Sequence, residues 1–77
     1  MTEIINKIVK NSVWIGAQIL VSVPEEGYVD MKLRNGYFCV VQCKNPYEVR
    51  VYVSAMGGLN SLISTNNVCE LLEKLSH

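Results

Sequence analysis

Apolar residues recur at helical spacing near both ends of this 77-residue chain and at strand spacing between them. From Thr2 to Asn11, Ile4, Ile5, Ile8 and Val9 form one stripe, with Asn6, Lys7 and Lys10 opposite, as in a short amphipathic helix. Thr2 can cap its start, and Glu3 suits the positive end of its dipole. Val68, Leu71, Leu72 and Leu75 make a second stripe, and Asn67 with Glu70 has the spacing of a capping box.

Between these stripes the period shortens to two. Every odd position from Val13 to Val23 is apolar, and Val13, Ile15, Ile19, Val21 and Val23 are β-branched. The alternation predicts a strand over 13–23 rather than a continuation of the first helix. "VPEEGY" reads as a turn. "YVDMKLR", Asn35-Gly36 and "YFCVVQC" read as a hairpin closed by a two-residue type I′ loop. "KNPY" makes the next turn, although Pro46 cannot take a positive φ there. "EVRVYVSA" is the fourth strand, and Gly57-Gly58 breaks the pattern.

These turns imply a register. A two-residue loop at Asn35-Gly36 pairs Leu33 with Phe38, Met31 with Val40 and Val29 with Gln42. Pairing Lys44 with Tyr47 sets Phe38 against Val53, Val40 against Val51 and Gln42 against Val49. Val29, Met31, Leu33, Phe38, Val40, Val49, Val51 and Val53 then share one face. A three-residue loop of Glu25, Glu26 and a left-handed Gly27 pairs Val23 with Val29 and adds Ile19, Val21 and Val23 to it. The expected fold is a single α+β domain over 1–77. A four-stranded antiparallel meander carries an N-terminal and a C-terminal helix on its apolar face.

The opposite face is expected to hold Trp14, Leu20, Tyr28, Asp30, Lys32, Arg34, Tyr37, Cys39, Val41, Cys43, Glu48, Arg50 and Tyr52. A solvated sheet face is usually plainly polar, whereas this mixture of Tyr, Trp, Arg and apolar groups is what protein interfaces favour. Tyr28, Tyr37, Tyr52 and Trp14 are the candidate anchors, and Lys32, Arg34 and Arg50 the candidate orienting cations.

Composition narrows the function further. Seven basic and seven acidic residues balance, where a nucleic-acid binder is usually basic. Single-stranded nucleic acid stacked on the tyrosines is therefore the alternative, behind a protein partner or a second copy of the chain. A regulator or inhibitor of a larger complex fits such a domain. Neither a nucleophile–base pair nor a phosphate loop can be assembled, so no enzyme and no cofactor are expected. Cys39 and Cys43 sit four apart on a strand, about 13 Å along it, which is too far to bridge each other or share a metal. With Cys69 they make an odd count, which suits free thiols in a reducing, cytoplasmic or intracellular setting. No apolar run reaches the roughly 18 residues of a membrane span.

Overall fold

The computed structural model describes residues 2–45, 48–54, 61–63 and 65–76. Helix α1 (Thr2–Trp14) leads into strand β1 (Gln18–Val23), a 3-10 turn (Pro24–Glu26), β2 (Tyr28–Lys32), β3 (Phe38–Asn45) and β4 (Glu48–Val53). A three-residue strand β5 (Ser61–Ile63) and helix α2 (Thr65–Leu75) follow. The α+β architecture is as expected: an antiparallel meander between two helices. β5 extends the meander, giving the order β1-β2-β3-β4-β5. Of the turn expected over 44–47, Lys44 and Asn45 belong to β3 and Asn45 pairs with Glu48, while residues 46–47, the Gly57-Gly58 break and the terminal His77 lie outside the described residues.

The apolar stripes of both helices pack on the same side of the sheet. Ile5 and Ile8 of α1 and Val68 and Leu72 of α2 are fully buried, with Ile4, Val9, Leu71 and Leu75 packed around them. Full burial of each such side chain contributes on the order of 1.5–3 kcal/mol relative to exposure.

Three local corrections follow from turn chemistry. The first concerns residues 13–17, where α1 runs on to Trp14 instead of yielding to a strand. A Schellman closure ends it: Ala17 N–H donates to Ser12 O (2.9 Å) and Gly16 N–H to Val13 O (3.0 Å). This closure needs a left-handed residue, and Gly16 supplies it with φ 91°.

The second correction moves β3 by one residue. Leu33 N–H donates to Tyr37 O (2.7 Å) and Gly36 N–H to Leu33 O (2.8 Å), so the loop is Arg34-Asn35-Gly36. Gly36 alone takes positive φ, as in a type I turn followed by a G1 bulge; a two-residue type I′ loop would need Asn35 there too. Asn35 finds other work. Its Oδ1 accepts from Tyr37 N–H (3.1 Å), and its amide donates to Leu75 O at the end of α2. Met31 therefore faces Cys39 and Val29 faces Val41, while Val53, Val51 and Val49 face Cys39, Val41 and Cys43. Cys39, Val41 and Cys43 are core, and Phe38, Val40 and Gln42 point the other way.

The third correction lies in β1. Gly27 is left-handed as expected (φ 69°), but the loop spans 24–27, so Val23 pairs with Tyr28 and Val21 with Asp30. Val21 and Val23 thus leave the core face. A bulge at Leu20 then returns Ile19 to it, opposite Met31. No larger residue fits at 27, because a Cβ would collide with the carbonyl oxygen of Cys43. The same contact ties the turn to β3, since Cys43 N–H donates to Gly27 O (2.7 Å).

Candidate interaction surface

The register builds the second face in rows across the strands. One row runs Val23, Tyr28, Gln42, Arg50; the next Val21, Asp30, Val40, Tyr52; a third Gln18, Lys32, Phe38. Neither helix packs on these rows, since both belong to the cluster on the opposite side. Phe38 is 51% exposed and Val21 48%, while Tyr28, Val40 and Tyr52 are half-buried. Strand alternation alone brings these apolar groups together on one pleated surface.

Its charges are mostly satisfied within the surface. Arg50 reaches Glu48 Oε1 through Nη2 (2.8 Å) and Nε (3.2 Å), two positions along the same strand. Hydrogen bonds to Glu48, and then to Tyr52, push the guanidinium pKa up from its already high value. Lys32 places its Nζ 5.8 Å from the centre of the Phe38 ring, within cation–π range. Asp30 stands between Val21 and Val40 in the middle row.

Of the seven residues singled out from sequence, Tyr28, Lys32, Arg50 and Tyr52 come together on this face. Arg34 and Tyr37 do not lie in its rows. Arg34 opens the β2–β3 loop and Tyr37 follows it, and the stem of Arg34 packs beside Gly16 at the end of α1. Trp14 leaves the sheet altogether. It stands 87% exposed at the end of α1 and lines an open groove of about 660 Å³ with Lys7, Lys10, Asn11, Cys69 and Glu70.

Sequence reasoning missed Phe38, Val40 and Val21 on this face. One signal was present in β3: its even positions run Phe38, Val40, Gln42, Lys44 and turn polar, whereas Cys39, Val41 and Cys43 stay apolar throughout. Cysteine is also among the residues most often fully buried.

All three thiols are held above their ordinary pKa. Burial, with Asp30 adding to it, pushes Cys39 up to about 12, and burial also raises Cys43 and Cys69. The thiolate is the reactive form, so each raised pKa lowers the reactive fraction. Cys39 and Cys43 lie on one strand with their side chains in the core. Among the described residues, no helix is long and apolar enough to cross a membrane, and no three His, Cys, Asp or Glu gather where a metal could sit. Set against known proteins, the chain matches no family model, no curated protein and no solved structure, so its own geometry carries the functional argument.

Proposed function

We propose that this chain is a non-catalytic binding module that acts by occupying a protein partner through the second face of its sheet. One observation carries the reading: both helices are committed to the other side, leaving Phe38, Val21, Val40, Tyr28 and Tyr52 on a surface whose charges balance. Exposed apolar groups gathered in one place and rimmed by polar residues are the mark of an interaction site. The tyrosines bury large area at small entropic cost, and Lys32 and Arg50 orient what docks. Asp30 in the middle row and Glu48 on Arg50 oppose a phosphate backbone, which favours a protein over single-stranded nucleic acid. A regulator or inhibitor of a larger assembly would work in this way.

The test places a photo-crosslinking residue at Phe38 and, as a control, at the exposed helix position Asn6. Irradiation in cells is expected to give discrete protein adducts from position 38 and none from 6. Adducts that vanish on nuclease treatment would transfer the surface to nucleic acid. Equal labelling from both positions would remove the assignment.

A further inference from the structure

The two edges of the sheet differ in a way that points to a particular partner. β5 closes one side with three residues. β1 closes the other with six, "QILVSV", which contain neither a proline nor a charge. Its neighbours differ: β2 carries Asp30 and Lys32, β3 carries Lys44, and β4 carries Glu48 and Arg50. Edge strands offer a row of unpaired N–H and C=O groups, and proteins ordinarily protect them with lysine, proline, shortness or a bulge. β1 has only the bulge at Leu20, which leaves Val21–Val23 regular. Leu20 and Val21 are 42% and 48% exposed, and among the described residues no strand pairs with the outer side of β1.

We infer that β1 pairs antiparallel with the β1 of a second copy of this chain, joining two sheets into one across a two-fold axis. The strand's composition favours a copy over a foreign segment. In an isologous contact each residue near the axis meets its own equivalent, so any charge there would face a like charge. β1 has none to oppose. β5, at three residues, is half the length of β1 and is the shorter of the two edges. The second faces of the two copies then form one continuous surface, doubling the area offered to the partner proposed above. This inference rests on the reading of the chain as a protein-binding module and gives that module its oligomeric form.

The test is light scattering behind a sizing column on the reduced full chain across a wide concentration range, with variants Leu20→Lys, Ser22→Lys, Ser22→Thr and Phe38→Ala. The expected result is a species of twice the 8.7 kDa chain mass. Both lysine variants should halve that mass, whereas Ser22→Thr and Phe38→Ala should leave it unchanged. Circular dichroism confirms that each variant is folded, and the two lysine positions guard against one misfolding. A wild-type monomer at every concentration overturns the inference. So does a dimer that Phe38→Ala dissolves and the lysine variants spare, because the copies would then meet face to face. The two claims fail separately: loss of the β1 contact leaves the cross-link from position 38 in place, while loss of the cross-link leaves the mass unchanged.

Discussion

The two faces of this sheet are built from the same strands, yet one is continuous with a core and the other is not. On the helix side, Val29, Met31, Cys39, Val41, Val51 and Val53 are almost wholly sealed from water. On the other side, each residue one step along the chain is half-buried or exposed, and apolar and charged residues mix: Asp30 and Lys32 beside Met31, Val40 between two core positions, Tyr52 between two core valines. The difference teaches that burial here is a property of parity. A side chain's position in the pleat decides whether it stabilises the fold or remains available to a partner.

Adjacent residues therefore give the sharpest test. Val41→Asp puts a charge without a partner into the core and is expected to cost about 3–5 kcal/mol, unfolding a domain of this size. Val40→Lys, one residue away and opposite Asp30, should leave the thermal transition nearly in place. If the two effects were reversed, β3 would be in the register that its loop was first expected to set. Next in size is Met31→Ala, which should lose about 2–5 kcal/mol in denaturant titrations. Gly27→Ala combines a left-handed backbone with the collision against Cys43 O, and about 1–3 kcal/mol is expected for such strain.

A smaller effect should appear in alkali. Cys39 is neutral in the fold up to about pH 12, whereas in the unfolded chain it ionises near the ordinary thiol value. The folded state holds its proton longer, so its contribution is complete below the unfolded pKa and is lost as pH rises towards 12. Cys39→Ala should flatten the alkaline limb of the stability profile, read as denaturation midpoint against pH. The smallest effect on the fold is expected from Tyr52→Ala, within about 1 kcal/mol of wild type, while the cross-linked adduct from position 38 is lost.

Helix spacing made α2 and most of α1 legible, because Ile5, Ile8, Val68 and Leu72 repeat at a period no strand can use. The meander was legible from alternation. Register was not, because it depends on loop length, and Asn-Gly suits both a two-residue loop and the last two positions of a three-residue one. The choice left its trace elsewhere, in the polar drift of Gln42 and Lys44 and in an asparagine whose amide is spent on Leu75 O. The extension of α1 was hidden by β-branched residues that resemble a strand until Gly16 is recognised as a helix terminator. Trp14 consequently moved from the candidate face to a helix groove, and the face gained Phe38 in its place.

The order β1-β2-β3-β4-β5 also fixes a sequence of events in time. Each strand pairs with the one made just before it, so the sheet can assemble by short-range steps as the chain emerges during synthesis. Val68 and Leu72, however, belong to α2, made after every strand. Until α2 leaves the ribosome, the apolar face of a nearly finished sheet lacks the cover that Val68 and Leu72 supply. The nascent chain therefore passes through a stage in which both of its faces are adhesive, and release of α2 is what makes them different.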